Sequence, residues 1–248
     1  MPPDASPEWA GNGRPARAGH FERWASRSHT MQPPALVIFD CDGVLVDSER
    51  ISHTVLQSLL AERGVMLSLE ETIERFMGNS MARTLEVVEE LTSVPPALFL
   101  PVFRAATYEA FRSDLSPVAG VADLLARMRI AHCVASNGPR EKMTLTLGKT
   151  GLLHRFAGKM FSADDVANPK PAPDLFLHAA RSMGAAPESC VVVEDTPTGV
   201  RAARAAGMRA LGFAAMTPAA HLLDAGAAGT FTSMTSLPDL LGLVGAAG

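Results

Sequence analysis

Residues 35–49 read ALVIFDCDGVLVDSE, and this stretch decides the fold. Its first part, ALVIFD, is a short continuous apolar run, which is typical of a strand buried on both faces of a parallel sheet. Asp40 and Asp42 follow at once, and Gly43 lets the chain turn sharply after them. The stretch therefore predicts a central strand that ends in a turn bearing two carboxylates.

Strand-like and helix-like segments alternate along most of the chain. Comparable apolar runs occur at AHCVAS (131–136), CVVVE (190–194) and RALGF (209–213), with weaker ones at KMFSA (159–163) and GTFTS (229–233). Apolar residues at helical spacing lie between them, over residues 119–129, 139–150, 173–184, 198–206 and 236–244. This order predicts an α/β fold, a Rossmann-like core with a mostly parallel sheet and helices on both faces.

One interval interrupts the alternation. Residues 49–113 contain about four helical stretches and no convincing strand, so we expect a small inserted helical cap domain over the carboxyl end of the sheet. Residues 35–48 and 114–248 then form the catalytic core. Residues 1–34 hold both tryptophans and six prolines without any period, and we interpret them as a disordered N-terminal extension.

Composition excludes several classes of protein. The chain has 248 residues, 47% of them hydrophobic, and a net charge of −4, which fits a soluble globular protein and argues against a nucleic-acid partner. No apolar run reaches the ~18 residues of a membrane helix, so no membrane association is expected. The three cysteines are widely spaced and lack a CxxC pair, which favours a reducing, cytoplasmic location over a disulfide framework.

Polar side chains gather where the predicted strands end. They are Asp40, Asp42, Ser136, Asn137, Lys170, Glu194 and Asp195. Because parallel strands end at one edge of a sheet, we expect these side chains to converge. Two carboxylates 4 Å apart repel by about 4 kcal/mol at an effective dielectric near 20, so the acidic set requires a hard divalent cation, and Mg²⁺ prefers such oxygen ligands. A phosphate dianion suits the remaining space.

Phosphoryl transfer gives each group a role. Asp40 can attack phosphorus to form an aspartyl-phosphate intermediate, and Asp42 can protonate the leaving oxygen and later deprotonate the attacking water. The other groups bind: Ser136, Asn137 and Lys170 hold phosphate, and Asp40, Asp42, Glu194 and Asp195 hold the metal.

Four segments resemble the four motifs of the haloacid dehalogenase-like hydrolases. They are DCDGVLVDSE (40–49), VASNG (134–138), NPKPAPDLF (168–176) and VVVEDTPTGVRAARAAG (191–207). The likeness is to the helical-cap subgroup, which includes phosphosugar phosphatases and β-phosphoglucomutases, and it covers residues ~35 to ~245. It implies a mobile cap, a monomer and the same nucleophile and acid/base. It also implies Mg²⁺ at Asp40, the Asp42 backbone carbonyl and Asp195, with Glu194 contributing directly or through water.

Departures from related branches help to choose the reaction. Dehalogenases and phosphonate-cleaving members of the family lack the second aspartate, which is present here as Asp42. The phosphonate-cleaving members also use a lysine from the cap, and residues 49–113 contain no lysine. Mutases carry a histidine twelve positions after the nucleophile, where this chain has Ser52. His53 is one step further, about 100° around a helix. Hydrolysis is therefore favoured, and SNGPREKM (136–143) is similar to bacterial sugar-phosphate phosphatases, including those acting on 6-phosphogluconate.

The resulting hypothesis is a Mg²⁺-dependent phosphatase for a small phosphorylated metabolite, a sugar phosphate or sugar-acid phosphate. Two alternatives stay open: a β-phosphoglucomutase-type isomerase, and a non-catalytic protein that binds a metabolite or a partner. Glu49, Asn79 and Arg83 are candidate substrate contacts from the cap, and Arg83 suits an anionic group. An ordinary helix start explains the polar turn before Arg83 equally well.

Overall fold

A computed structural model describes residues 33–243 and contains one six-stranded parallel sheet. The strands are β1 (Leu36–Phe39), β2 (Ala131–Ser136), β3 (Met160–Ser162), β4 (Cys190–Glu194), β5 (Arg209–Phe213) and β6 (Gly229–Phe231). Their order across the sheet is β3-β2-β1-β4-β5-β6, and every neighbouring pair is parallel. The predicted α/β fold is confirmed.

Helices connect the strands. They are α1 (Ser48–Ala61), α2 (Leu69–Phe76), α3 (Met81–Thr92), α4 (Pro96–Asp114), α5 (Val121–Arg127), α6 (Arg140–Lys149), α7 (Asp174–Ser182), α8 (Pro197–Ala205), α9 (Ala219–Asp224) and α10 (Leu237–Leu240). Short 3₁₀ turns lie at Leu153–Arg155, Ala163–Asp165, Pro187–Ser189 and Met234–Ser236.

The central strand explains why its sequence is apolar without interruption. All four residues of β1 are fully buried. Val37 and Phe39 pack into one apolar cluster and Leu36 and Ile38 into another, because successive side chains point to opposite faces of the sheet. Helices cover both faces. Each buried side chain of β1 contributes roughly 1.5–3 kcal/mol to folding stability through its removal from water.

Helices α1 to α4 form a third apolar cluster. Its largest buried members include Leu60, Phe76 and Phe99. Helix α2 begins at a capping box, in which Ser68 and Glu71 bond each other's backbone amides and so fix the start of the helix. A separate apolar cluster is what a small domain requires, and it supports the proposed cap over residues 49–113.

The chain passes between the core and these helices twice, and the two passages lie side by side. The Asp47 amide donates to the Ser116 carbonyl at 3.0 Å, and the Val118 amide donates to the Leu45 carbonyl at 3.0 Å. This pairing places the start of α1 and the end of α4 next to the turn that follows β1.

The sequence prediction and the structure differ in detail. Helix α9 was not predicted, because only Leu222 is buried in this short segment and no apolar stripe develops. Helix α10 ends at Leu240, before the predicted limit of 244, since Gly242 adopts a left-handed φ of 74°. The predicted extension over 1–34 lies outside the described residues except at 33 and 34. Within residues 33–243, no helix combines the length and hydropathy that a bilayer crossing requires.

Candidate active site

The register of the sheet brings the predicted catalytic residues to one edge. Phe39 pairs with Val134 of β2 and with Val193 of β4, so the residues that follow these positions lie at the same height. The Asp40 amide also donates to the Val193 carbonyl at 2.9 Å. Asp40 therefore sits between the ends of β2 and β4.

Lys170 is the centre of the buried charge cluster. Its Nζ donates to Asp40 Oδ1 at 2.6 Å, to Glu194 Oε1 at 2.7 Å and to the Ala135 carbonyl at 2.8 Å. Burial opposes the ammonium, but the carboxylates of Asp40 and Glu194 outweigh it and hold the pKa of Lys170 above its usual value. All three ammonium hydrogens are engaged, so direct donation from Lys170 to a phosphoryl oxygen requires the release of one partner.

Asn137 fixes the segment that carries Lys170. Its side-chain nitrogen donates to the Lys170 carbonyl at 3.0 Å, and its side-chain oxygen accepts from the Lys170 amide at 3.0 Å. This pair of bonds ties the loop after β2 to the loop that precedes α7. It favours a positioning role for the Asn137 side chain over the predicted direct contact with phosphate.

Ser136 is free to contact a phosphoryl group. It is buried at the end of β2, and its Oγ accepts a hydrogen bond from the Gly138 amide at 3.0 Å. The hydroxyl proton stays available for donation, which agrees with its predicted role.

Three carboxylates form a cluster that fits a metal ion. One oxygen from each of Asp40, Glu194 and Asp195 lies within 4.8 Å of the others, and all three residues are buried. Asp195 Oδ1 is buried and finds no hydrogen-bond partner within residues 33–243. Burial, with Glu194 nearby, raises the pKa of Asp195, and the same two causes raise the pKa of Asp40 to about 7 even though Lys170 opposes them. Buried carboxylate oxygens, one of them without a partner among residues 33–243, fit a hard divalent cation such as Mg²⁺, which prefers oxygen ligands.

Glu194 already has partners for both oxygens. Oε1 accepts from Lys170, while Oε2 accepts from the Thr196 amide at 3.1 Å and the Thr196 hydroxyl at 2.9 Å. Helix α8 comes close enough that a Cβ at Gly199 would collide with the Glu194 carboxylate. These contacts favour a supporting role for Glu194 in the cluster.

Two features of the structure require glycine at position 43. Its φ is 73°, in the left-handed region, and a Cβ there would overlap the Asp195 carboxylate. The turn after Asp42 therefore passes directly against the candidate metal cluster.

The Asp42 carboxylate is not a member of the three-carboxylate cluster and has its own partners. Ser48 donates to its Oδ1 at 2.7 Å, and Lys142 Nζ lies 2.9 Å from its Oδ2. Although burial opposes ionisation, the ammonium of Lys142 outweighs it and lowers the pKa of Asp42. Sequence reasoning missed Lys142: it stands inside the quoted SNGPREKM segment, but no spacing rule selects it.

The catalytic edge opens into a cavity of about 540 Å³ between the core and the helices α1 to α4. Glu49 and Asn79, two of the three candidate substrate contacts, line this cavity, as does His53. The structure does not bring Arg83 to it. The Arg83 guanidinium instead pairs on the surface with Glu86 at 2.9 Å and Glu90 at 3.3 Å, so the geometry gives its predicted role no support.

A second cavity, of about 610 Å³, lies on the side of the two chain passages. It contains Gly43 and Asp195 but neither Asp40 nor Lys170. The 540 Å³ cavity is therefore the one of the two that contains the predicted nucleophile and Lys170.

The family of the chain follows from comparison with known proteins. A family described as haloacid dehalogenase-like hydrolase matches residues 37–213, and the chain belongs to this family. It is 35% identical over 209 residues to 6-phosphogluconate phosphatase of Escherichia coli (strain K12), with 82% of this chain and 93% of that protein covered.

Two solved structures are similar over most of their length. A haloacid dehalogenase-like protein of unknown function from Agrobacterium tumefaciens str. C58 is 40% identical with a TM-score of 0.77, covering 84% of this chain and 97% of that one. A hydrolase from Deinococcus radiodurans R1, solved with bound phosphate and sodium, is 35% identical with a TM-score of 0.75, covering 85% and 97%. The predicted family is thus confirmed, and the named E. coli relative is a phosphatase.

Proposed function

We propose that this protein is a Mg²⁺-dependent phosphatase that hydrolyses a small phosphorylated metabolite, a sugar phosphate or a sugar-acid phosphate. The observation that carries the proposal is the buried meeting of Asp40 with Lys170, Glu194 and Asp195 at the mouth of a metabolite-sized cavity. The cavity volume falls in the range of small-molecule sites.

The proposed reaction has two steps. A carboxylate oxygen of Asp40 attacks phosphorus, the bond from phosphorus to the leaving oxygen breaks, and Asp42 donates a proton to that oxygen. Water then attacks the phosphorus of the aspartyl-phosphate, Asp42 takes the water proton, and phosphate leaves as Asp40 is regenerated. Ser136 donates to a phosphoryl oxygen in both steps.

The metal belongs to the acidic cluster in this proposal. Asp40, Asp195 and the backbone carbonyl of Asp42 would hold it, with Glu194 in support. A bound Mg²⁺ supplies positive charge that offsets the charge of the phosphoryl oxygens. Lys170 adds one positive charge, which the carboxylates of Asp40 and Glu194 share.

The substrate class rests on similarity together with the cavity. The alignment with the 6-phosphogluconate phosphatase of E. coli covers 93% of that protein. Glu49 and Asn79 line the same cavity and offer polar groups to the hydroxyl groups of a sugar chain. A 6-phosphogluconate-like ester is therefore the substrate that we propose. The monomeric state and cytoplasmic location expected from the sequence stay predictions.

A screen of phosphate release tests the proposal. The purified full chain is assayed with 6-phosphogluconate, glucose 6-phosphate, sorbitol 6-phosphate and fructose 1-phosphate, with Mg²⁺ and with a chelator. We expect Mg²⁺-dependent release, greatest for a sugar or sugar-acid phosphate. Absence of release from every ester would favour the non-catalytic binding protein.

One observation keeps the isomerase as a second candidate. His53 is buried on the cavity wall, and its Nδ1 lies 2.8 Å from the Glu49 carbonyl, so Nε2 is directed away from that bond. The one-residue offset from Ser52 does not keep this imidazole out of the cavity. Net conversion between sugar phosphates that requires a sugar bisphosphate, without phosphate release, would establish the isomerase.

A further inference from the structure

Lys142 links the proposed acid/base to two parts of the fold. It lies on α6, and its ammonium is 2.9 Å from Asp42 Oδ2. The pair is largely shielded, with 22% of the Lys142 side chain and 16% of the Asp42 side chain exposed. On its other side the ammonium lies 5.7 Å from the ring centroid of Phe111, in the last turn of α4. The ammonium thus pairs directly with Asp42, lies over an aromatic ring, and also has the charge of the Glu49 carboxylate within electrostatic reach.

The two oxygens of Asp42 are held from different directions. Ser48, the first residue of α1, donates to Oδ1 at 2.7 Å, and Lys142 holds Oδ2. Two donors on separate elements fix the plane of the carboxylate, which a single bond would leave free to rotate. The Asp42 side chain that they hold is not one of the three clustered carboxylates that fit the metal.

Gly138, in the loop after β2, lies beside this contact. A Cβ added at Gly138 would lie 3.3 Å from Ser136 Oγ, 3.4 Å from Lys142 Cδ and 3.6 Å from Asp42 Oδ2. The approach of α6 to the catalytic turn is therefore close at this position. Lys142 also lines a separate small cavity of about 180 Å³, which shares Glu49 and His53 with the 540 Å³ cavity.

We propose that Lys142 is a positioning residue that holds the Asp42 carboxylate in line with the leaving-group oxygen. The inference rests on the acid/base role proposed above for Asp42. A misplacement of about 1 Å in a reacting group lowers a rate on the order of 100-fold, so the loss of this one contact has a measurable consequence.

Leaving-group dependence separates positioning from general damage. An alkyl phosphate, such as a sugar phosphate, needs a proton on its leaving oxygen, whereas p-nitrophenolate departs without one. The ratio of kcat/KM for the two esters therefore reports the step in which Asp42 donates its proton, because kcat/KM covers events only up to the first irreversible step.

The experiment compares Lys142→Met with Lys149→Met, a matched change at an exposed lysine on the same helix. With Lys142→Met we expect kcat/KM for the best sugar phosphate to fall about 100-fold or more, the range of general acid catalysis, while kcat/KM for p-nitrophenyl phosphate stays near the wild-type value. Lys142→Arg should recover part of the loss, and Lys149→Met should match the wild type for both esters.

Asp42→Asn tells a failure of this inference from a failure of the proposed function. If Asp42→Asn shows the selective loss and Lys142→Met does not, Lys142 has no positioning role. If Asp42→Asn itself shows no selectivity, the acid/base assignment fails and the inference with it. An equal loss on both esters, or a gain, in Lys142→Met would also overturn the proposal. Should Lys142→Met fold poorly, Lys142→Gln takes its place in the same assays. The double variant Lys142→Gln with Asp42→Asn is then compared with Asp42→Asn alone, and a further selective loss in the double variant would contradict positioning through Asp42.

Discussion

Lys170 Nζ lies 2.6 Å from Asp40 Oδ1, although the two residues are 130 positions apart in the sequence. The side chains are only 4% and 10% exposed, and Glu194 Oε1 shares the same ammonium at 2.7 Å. One cation thus faces two buried carboxylates, and Asp195 lies beside them. The fold holds these charges at the end of three parallel strands, where the proposed phosphoryl transfer needs them.

Removal of the shared cation should destabilise the protein. In Lys170→Met, Asp40 and Glu194 lose their buried counter-charge, and breaking a buried pair in this way costs about 3–5 kcal/mol. The free energy of unfolding by urea in the absence of Mg²⁺ measures the effect. Lys149→Met, at an exposed position, should stay within about 0.5 kcal/mol of the wild type. A Lys170→Met protein as stable as the wild type would contradict the ion-pair account.

Much of this arrangement could be predicted from the sequence. The four inner strands are short apolar runs because both faces of the sheet are covered, and that pattern is readable without a structure, while the edge strands β3 and β6 carry a weaker signal. Parallel order then forces Asp40, Ser136 and Glu194 to one edge. Lys170 follows the weaker predicted strand at 159–163, and the family resemblance points to the same lysine.

Other features depend on helix rotation, which the sequence leaves open. The contact of Lys142 with Asp42 needs the placement of α6 against the turn after β1, and no local pattern encodes it. Arg83 did carry a readable signal, since Glu86 and Glu90 follow at positions that share its helix face. That spacing indicates a surface ion pair, which is what the structure contains.

Gly43 offers a test of the close approach to Asp195. In Gly43→Ala we expect a large loss of phosphatase activity and weaker Mg²⁺ activation, because the new methyl group would displace the Asp195 carboxylate. Gly64→Ala is the matched control: its φ of 81° brings similar backbone strain, of about 1–2 kcal/mol, but nothing lies within 4 Å of the added Cβ. Both variants should lose stability, and only Gly43→Ala should lose activity. Equal activities in the two variants would show that the Asp195 contact does not matter.

Metal binding can be measured without turnover. Mg²⁺ at 100 times its Kd should raise the free energy of unfolding of the wild type by about 2.7 kcal/mol. Asp195→Asn removes one member of the crowded acidic cluster, so the metal-free protein should be no less stable, yet the gain on adding Mg²⁺ should largely disappear. Asp224→Asn, an exposed change in α9, should keep the full gain. Thermal shift with and without Mg²⁺ is the readout, and an undiminished gain in Asp195→Asn would place the ion elsewhere.

His132 should make the fold sensitive to mild acid. Burial lowers the pKa of its half-buried imidazole, whose Nε2 has no partner within residues 33–243, while the bond to the Ile130 carbonyl opposes the shift. Because the pKa of His132 is lower in the folded state than in the unfolded state, the folded protein favours the neutral imidazole. The contribution of His132 to folding stability is therefore fully present above the unfolded pKa of 6.5 and is lost as the pH falls through the folded pKa. Urea unfolding at pH 8 and pH 5 measures this. His132→Gln should lose less stability over that interval than the wild type, and an equal loss would exclude His132 as a source.

The central claim is that Asp40 is the nucleophile, and its covalent intermediate is the most direct test. The full chain is mixed with Mg²⁺ and its best substrate, quenched in acid during turnover, and digested for mass spectrometry of the peptide containing Asp40. We expect one phosphoryl group on Asp40 in the wild type, and neither that adduct nor measurable turnover in a folded Asp40→Asn protein. Phosphate release at a normal rate from Asp40→Asn, or a phosphoryl group found only on another residue, would contradict the account.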